Sequence, residues 1–407
     1  MKLLTVEPVD QAIFRVREFI EKHHKSKTEV IPVSSAYQRI SSKRIHSQEY
    51  LPNFNRSTVD GYALMANETF GASDSIPTLL HCIERLEMGQ KPEKKLSSGE
   101  CVYVPTGGMI PEGTSAVVMV EYCELFGKDQ ILVYRPVAHH ENVILMGDDV
   151  NINEIIIDKN DLFTHQAVGL CAGVGVSQVE VYSSLKAAVI STGDEVFAIN
   201  ASLSKAQVHD VNGAILHSIL TDMNFEVVEN HLIQDNEELL FSTVNRLKNM
   251  VDMILISGGS SQGEKDYTAK IIDRCQNPGV WSHGLSIKPG KPTILGSSGS
   301  CLIVGLPGHP VSAMTVFLRV IKTAYQQAYH HRIHSVYAKL DTNVMSSSGK
   351  ETIIYVQLDN ENKQTIAKVL YSKSGLISTL KHADGYIVIP GNLEGYQRNE
   401  IVEVFLI

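Results

Sequence analysis

Three apolar segments, each followed by a loop of small residues, decide how the second half of this chain folds, and two of these loops also contain acidic residues. They are AAVISTGDE (187–195), MILISGGSSQGEKD (253–266) and CLIVGLPGHP (301–310). Short, uninterrupted apolar runs of this kind predict strands that are buried on both faces of a sheet. In parallel sheets the carboxyl ends of the strands lie at one edge, and ligands bind there. The three loops are therefore predicted to meet in one cleft.

The surrounding pattern predicts an α/β domain with a mainly parallel sheet, because helical periodicity alternates with strand-like runs. We predict helices at 215–223, 236–249, 266–275 and 311–329, and strands at 187–191, 225–233, 250–257 and 300–306. Outside this domain, an amphipathic helix at 9–20 opens the chain. Residues 45–185 and the tail after 332 contain short strand-like runs between turn residues, so both regions are expected to be mainly β.

Composition narrows the classes of function. The chain has 407 residues, 43% of them hydrophobic, enough for roughly two to four domains with their own cores. Its net charge of −9 argues against a general binder of nucleic acid or anionic membranes. The six cysteines include no C-x-x-C pair, and no apolar run reaches the roughly 18 residues of a membrane span. We therefore expect a cytoplasmic protein with reduced thiols and neither nucleic acid nor membrane as a partner.

Glycine and acidic side chains at the strand ends suit a phosphate and metal site. Glycine lets a phosphate approach backbone N–H groups, and carboxylates bind divalent cations. Any one of these loops alone is more often an ordinary turn, so the prediction depends on all three occurring together. Gly258 and Gly263 have the spacing of a P-loop, but Glu264 stands where its lysine belongs. A P-loop NTPase is therefore excluded.

The segment SIKPGKP (286–292) places Lys288 and Lys291 three residues apart in a stretch that contains two prolines. Prolines restrict the backbone, and two ammonium groups held close together suit a small oxyanion. Taken alone, the segment would be better explained by two exposed lysines on a turn.

Seven segments of the chain, taken together, resemble a single family. They are STVDGYA (57–63), VPTGGMIPEG (104–113), STGDE (191–195), VHDVNGAIL (208–216), SGGSSQGEKDY (257–267), IKPGKP (287–292) and LPGHPVSA (306–313). In type and order they are similar to the molybdopterin molybdenumtransferase family, which acts in the last step of molybdenum-cofactor synthesis. That family includes the C-terminal part of gephyrin.

The resemblance implies a multidomain fold. It has a central α/β pterin-binding-type domain with a mostly parallel sheet, two mainly β domains inserted before it and a C-terminal β-barrel-like domain. On this basis the α/β domain comprises 1–26 and 183–330, and a connecting domain comprises 27–46 and 150–182. A β-rich domain comprises 47–149, and the C-terminal domain comprises 331–407. The family also implies a homodimer whose active cleft forms between the α/β domain and the other subunit.

The resemblance further implies a reaction. Family members take molybdopterin-AMP and molybdate, cleave the phosphate anhydride with a divalent cation such as Mg²⁺, and release AMP. The product is molybdopterin that carries molybdenum on its dithiolene. The upstream molybdopterin adenylyltransferase is then a candidate partner that could deliver the substrate.

Site residues follow from the resemblance position by position. Glu195 and Asp194 would hold Mg²⁺, and Lys288 and Lys291 would attract molybdate. The loop residues expected to contact the terminal phosphate or the pterin are Gly258, Gly259, Ser260 and Ser261.

The remaining matched positions have two expected roles. The other catalytic candidates are Asp60, Thr106, Asp235 and Asp266. The other binding candidates are Asp149, Pro307 and Pro310.

The chain also departs from the family pattern. Ile144, Leu145 and Met146 replace arginines before Asp149, Gly284 stands where many relatives have lysine, and His309 stands where asparagine is usual. The changes at 144–146 and at 284 remove positive charge. They leave open a tungstate-preferring paralogue or one with reduced activity. A dimeric binding scaffold of the gephyrin kind and a different phosphoryl-transfer enzyme on the same α/β module are further alternatives.

Overall fold

The computed structural model describes residues 6–258, 267–331, 333–361, 363–371 and 376–407. The predicted site residues Gly259, Ser260, Ser261 and Asp266 lie outside these ranges. Across the described ranges, no helix is both long and apolar enough to cross a membrane.

The helix Val9–His23 opens the described chain and packs against the last helices of the α/β domain. Its apolar residues recur at helical spacing, and Ala12, Val16 and Ile20 are fully buried. The helix continues past the predicted end at Ile20. Lys22 and His23 lie in its last turn, where basic side chains stabilise the helix by interacting with the negative end of its dipole.

The central sheet has six strands, and the predicted parallel arrangement holds for four of them. In spatial order the strands are Glu226–Ile233, Lys186–Thr192, Met253–Ser257, Cys301–Leu306, Ile294–Ser298 and Pro278–His283. The first four run parallel, and the last two are antiparallel to their neighbours. The sequence pattern does not predict these last two strands, because glycine and serine interrupt their apolar runs.

Helices cover both faces of this sheet. Met253 and Leu255 belong to one hydrophobic cluster, whereas Ile254 and Ile256 belong to another, as expected for alternating side chains of a strand buried on both faces. The helices that follow residue 210 are Val211–Asp222, Glu237–Leu247, Tyr267–Cys275, Pro310–Val316 and Thr323–Ala328, with a π-helical segment, Phe317–Lys322, between the last two. The first begins at Val211, earlier than predicted, because the Asp210 side chain accepts a hydrogen bond from Gly213 N and caps it.

The strand Pro278–His283 forms one edge of the sheet. Its register shifts between Val280 and Ser282. Arg15 of the first helix donates a 3.2 Å hydrogen bond to the Trp281 carbonyl, and the Phe19 ring lies 5.1 Å from the Trp281 ring. The first helix therefore holds the middle of this edge strand.

A second six-stranded sheet occupies residues 61–133. In spatial order its strands are Ala116–Met119, Gly61–Leu64, Glu100–Val104, Thr78–Arg85, Gln130–Val133 and Cys123–Phe126. Only the pair Thr78–Arg85 and Glu100–Val104 is parallel. This region is mainly β, as predicted.

Short strand pairs connect distant parts of the chain. They are Thr28–Pro32 with Gln178–Tyr182, Ile45–His46 with Ile155–Ile157, Arg56–Ser57 with Val143–Ile144, and Val196–Phe197 with Val208–His209. One helix, His165–Gly173, capped by Thr164, interrupts the mainly β region. Short 3-10 helices occur at Val33–Ser35, Ala66–Thr69, Val120–Tyr122 and Ile377–His382. The four domain bounds given above remain predictions.

The C-terminal region forms a closed five-stranded barrel, which confirms the predicted barrel-like domain. Its strands are, in order around the barrel, Glu351–Glu361, Gln364–Val369, Ser335–Leu340, Ile401–Leu406 and Gly385–Ile389. The last of these pairs back with the first, which closes the barrel. Two short segments, Val344–Met345 and Gly395–Tyr396, pair separately.

The barrel shares its packing with the α/β domain. Arg319 of the π-helical segment forms a bidentate ion pair with Glu351 of the barrel, at 2.8 and 3.0 Å, and also approaches Asp10 at 3.2 Å. The Thr315 hydroxyl lies 2.9 Å from the buried Tyr355 hydroxyl. The strand Ile287–Lys288 pairs with Glu351 and Thr352. The two domains are thus joined by ionic, polar and backbone contacts.

Asp252 anchors the end of the first helix to the start of the central sheet. Its carboxylate contacts Lys27 Nζ at 2.5 Å, His24 Nδ1 at 3.4 Å and Lys186 N at 2.8 Å, and its side chain is only 12% exposed. Burial alone would raise the pKa of Asp252, but the contacts with His24, Lys27 and Lys186 outweigh it and hold the pKa well below its usual range.

We predict that Asp252→Asn lowers the free energy of unfolding at pH 7 by about 2 kcal/mol, because the variant loses the buried carboxylate and its ionic partners. A depressed folded-state pKa stabilises the protein above the unfolded pKa of about 3.9, and this contribution is lost as pH falls through the folded value. The difference between variant and wild type should therefore shrink below about pH 4. Urea unfolding across this pH range measures it.

The matched control is Asp359→Asn, which removes an exposed carboxylate paired with Lys368 on the barrel. It should change stability little at any pH. An equal loss of stability in both variants would contradict the assignment of Asp252 as an anchor.

Candidate functional site

The strand ends that precede the three predicted loops meet at one edge of the central sheet. Ser191, Ser257 and Leu306 lie beside one another in the parallel register, so the chain leaves the three strands at the same level. Gly258 follows directly, with φ +102°, and a Cβ there would lie 2.4 Å from the Thr192 carbonyl oxygen. Only glycine permits this approach and this backbone conformation.

The meeting point is a cleft of about 620 Å³. The described residues that line it come mainly from the three loops and from the start of the helix Val211–Asp222. They are Ser191, Thr192, Gly193, Glu195, Val196, Val208, His209, Asp210, Val211, Asn212, Asp235, Ser257, Gly258, Pro292, Pro307, Gly308, His309, Pro310 and Ile377. Five predicted site residues are therefore brought together: Glu195, Asp235, Gly258, Pro307 and Pro310.

The cleft is acidic. Glu195, Asp210 and Asp235 line it, and no lysine or arginine is among its described lining residues. Asp194 lies next to this group, since its carboxylate accepts a 3.0 Å hydrogen bond from Asp235 N. An anionic phosphate would meet net repulsion here unless a cation accompanied it.

Magnesium fits this donor set. Mg²⁺ is usually bound by one or two protein carboxylates, with waters and substrate phosphates completing its shell. In the described part of the chain, no group of three or more His, Cys, Asp or Glu side chains could hold a metal by itself. The carboxylates of Glu195 and Asp194 therefore suit a cation that the ligand helps to bind.

Asp210 and Asn212 connect the loops through side-chain hydrogen bonds. The Asp210 carboxylate accepts 2.8 Å bonds from Ser191 Oγ and Gly213 N. The Asn212 amide nitrogen donates to Ser257 Oγ at 2.6 Å and to Gly308 O at 2.7 Å. Each of the three strand ends is thus tied to the same helix.

Two polar atoms at the cleft have no hydrogen-bond partner within the described residues. They are Thr192 Oγ1 and Asn212 Oδ1, and both are buried. Buried polar atoms are nearly always paired, so unpaired ones require an explanation such as a ligand or water.

The predicted oxyanion-binding segment lies beside the cleft. Pro292 lines the cleft, whereas Lys288 and Lys291 are exposed and do not. Lys288 donates a 2.9 Å hydrogen bond to Ser347 Oγ of the C-terminal region. The cis peptide bond Lys288–Pro289 and the turn at Gly290, with φ +119°, shape this segment.

The other predicted residues lie on the inserted β region and do not line the cleft of their own chain. The Asp60 carboxylate accepts hydrogen bonds from Thr106 N at 2.7 Å and Thr106 Oγ1 at 3.1 Å, so these two candidates form one exposed group. Asp149 is exposed, and its N–H bonds to the Leu51 carbonyl. Ile144 is one of the three residues that the resemblance implies have replaced arginines. It is half-buried, and its short strand pairs it with Arg56.

Sequence reasoning assigned no role to Asp210, Asn212 and Gly308. An aspartate three residues before a backbone N–H that it can accept from is typical of a helix N-cap, as with Asp210 and Gly213. This pattern could have located the start of the helix from the sequence. The side chain of Asn212 reaches two other loops, and no local pattern encodes such contacts.

Comparisons with known proteins cover nearly the whole chain. Residues 7–175 match the MoeA N-terminal region (domain I and II), and residues 337–407 match the MoeA C-terminal region (domain IV). Residues 188–327 match a probable molybdopterin binding domain. The candidate cleft lies mainly within this middle match.

Named relatives support the same assignment. A molybdopterin molybdenumtransferase of Haemophilus influenzae is 30% identical and is matched over 73% of this chain and 72% of its own length. One of Bacillus subtilis is 26% identical over 98% of this chain and 94% of its own length. A crystal structure of a molybdopterin biosynthesis MoeA protein from Pyrococcus horikoshii aligns with a TM-score of 0.84 at 28% identity, covering 99% of this chain and all of its own. The predicted resemblance is confirmed: the chain belongs to the MoeA family of molybdopterin molybdenumtransferases.

Proposed function

We propose that this protein transfers molybdenum from molybdate to adenylylated molybdopterin, with a divalent cation bound and with release of AMP. Family membership and the transferase names of its relatives support the reaction class. The observation that carries the proposal is the acidic cleft where three strand ends converge, lined by Glu195 and Asp235 and by no lysine or arginine among its described residues. Such a cleft suits a phosphate anhydride accompanied by a cation.

The residues around the cleft would have three roles: binding the cation, admitting the phosphate and attracting the oxyanion. Glu195 and Asp194 would hold Mg²⁺, which when bound would neutralise charge on the departing phosphoryl oxygens. Gly258 and Gly308 leave the backbone open, so that a phosphate can approach N–H groups at the strand ends. Lys288 and Lys291 flank the cleft at Pro292 and would attract the incoming oxyanion.

We further propose that Asp60 and Thr106 act at the cleft of the other subunit in a homodimer. Their hydrogen-bonded pair does not line the cleft of its own chain, whereas the resemblance of their motifs to the family supports an active-site role. A second copy that docks its inserted β region over the cleft would complete the site. The upstream molybdopterin adenylyltransferase is the proposed source of the substrate.

Tungstate is the alternative oxyanion. The loss of positive charge at Ile144, Leu145 and Met146, and at Gly284, is the observation that favours altered oxyanion handling. A single-turnover assay with Mg²⁺ and molybdopterin-AMP, with molybdate or tungstate added in separate arms, decides between them. AMP release that depends on one oxyanion identifies the substrate, and bound substrate without AMP release in either arm contradicts the proposal.

We expect Glu195→Ala to lower the rate of AMP release by at least about 100-fold with little change in thermal stability, because the carboxylate is exposed and would serve the cation rather than the fold. Asp266→Ala should have a similar effect, on the strength of the resemblance alone. The matched control is Glu361→Gln, an exposed carboxylate on the barrel that pairs with Lys368. Wild-type activity in Glu195→Ala would remove Glu195 from the site.

The shared site can be tested with mixed dimers. Asp60→Ala and Glu195→Ala proteins should each be inactive alone. After subunit exchange, mixed dimers would contain one site in which both residues are intact, giving about a quarter of wild-type activity if exchange is random. If both residues instead act within one chain, mixing restores nothing. Sedimentation of the mixture verifies that dimers are present.

A further inference from the structure

We propose that Asn212 is a substrate-binding residue that recognises an N–H group on the heterocycle of the ligand. This inference rests on the proposed function and deepens it, since the carboxylates and lysines discussed above all serve the anionic part of the substrate. Asn212 would supply recognition of the ring.

The orientation of the Asn212 side chain follows from its partners. Gly308 O is a carbonyl oxygen, which can only accept, so the atom 2.7 Å from it must be the amide nitrogen. The second amide hydrogen is used by Ser257 Oγ at 2.6 Å. Both donors are therefore satisfied, and the carbonyl oxygen Oδ1 must point away from these two contacts.

The remaining atom, Oδ1, is an acceptor that lacks a donor. It is buried and has no hydrogen-bond partner within the described chain, and Asn212 as a whole is 9% exposed. The residue nevertheless lines the cleft. The side chain is thus fixed by two other loops, and the residue that carries this acceptor, unpaired within the described chain, lines the cavity.

A ligand group that pairs with Oδ1 must be a hydrogen-bond donor, and this decides which part of the substrate it can be. Phosphate and molybdate oxygens are predominantly acceptors at neutral pH, so they cannot pair with a carbonyl oxygen. The pterin ring carries ring N–H and amino donors, and the adenine of the AMP moiety carries an amino group. The shared chemistry is an N–H donor on a nitrogen heterocycle.

Thr192 provides the contrast within the same cleft. Its Oγ1 is also buried and has no partner among the described residues, but a hydroxyl can donate or accept and would pair with a phosphate oxygen equally well. Of these two atoms, Asn212 Oδ1 is the one that discriminates between donor and acceptor groups on the ligand, because it can only accept.

The test is equilibrium binding in the presence of Mg²⁺ to wild type and to Asn212→Leu, which has a similar volume and no hydrogen-bonding atoms. The probes are molybdopterin, AMP and inorganic pyrophosphate. We expect one of the two heterocyclic probes to bind about 10- to 100-fold more weakly to the variant, because a site built around a hydrogen bond loses it. Pyrophosphate, which offers no N–H group, should bind both proteins equally.

The heterocyclic probe that weakens shows whether the pterin or the adenine contacts Asn212. Equal binding of both heterocycles to the two proteins overturns the inference. A parallel loss of pyrophosphate binding also overturns it, since that result shows that Asn212 only supports the loops.

A measurement on wild type keeps the test independent of how well the variant folds. AMP is compared with its N6,N6-dimethyl analogue, and pterin with an analogue methylated at ring N3 and twice at the 2-amino group, so that each analogue lacks the N–H donors of its heterocycle. Wild type should prefer one N–H compound about tenfold or more over its methylated partner. No preference in either pair overturns the inference, whereas failure of wild type to bind any pterin or nucleotide refutes the proposed function itself.

Discussion

The close approach of Gly258 to Thr192 is the constraint on which the site depends. The strands Lys186–Thr192 and Met253–Ser257 are neighbours, so the chain that leaves the second must pass directly over the end of the first. A Cβ at Gly258 would lie 2.4 Å from Thr192 O and 2.6 Å from Thr192 Oγ1, distances that no side chain can occupy. Because this position is glycine, the loops converge and Asn212 can reach both Ser257 and Gly308.

The electrostatics of the cleft follow from that convergence. One cavity, in a chain of net charge −9, is lined by Glu195 of the first loop, by Asp210 before the helix Val211–Asp222 and by Asp235 after the strand Glu226–Ile233. Asp210 is already committed, since it caps a helix and accepts from Ser191. The Asp194 carboxylate accepts a hydrogen bond from Asp235 N, and Glu195 is exposed at the cleft. Lys288 and Lys291 are exposed beside the cleft and do not line it. The acidic lining of the cleft and the two lysines are therefore spatially separated.

Most of the fold could be predicted from the sequence, because three of the four parallel strands contain short apolar runs whose pattern needs no tertiary information. Ile294–Ser298 and Pro278–His283 could not, since serine and glycine in these strands are buried by neighbours that local sequence does not reveal. At the site, the loop that holds Glu195 could be predicted from its position after a strand, whereas Asp235 was predicted from the family resemblance alone. Asn212 was not, because its role depends on two residues that lie 45 and 96 positions away. The Lys288 contact with Ser347 depends on how the barrel docks, which the motif cannot encode.

The contact between Arg15 and Trp281 has a consequence for self-association. An edge strand presents unpaired backbone groups that another chain can pair with, and natural proteins blunt such edges with proline, bulges and charge. The strand Pro278–His283 has three such features. It begins with a proline, its register is irregular at Trp281, and the Arg15 guanidinium donates a hydrogen bond to the Trp281 carbonyl. The first helix therefore protects this edge of the sheet. Loss of the helix would leave the edge strand able to pair with other chains in cross-β aggregation.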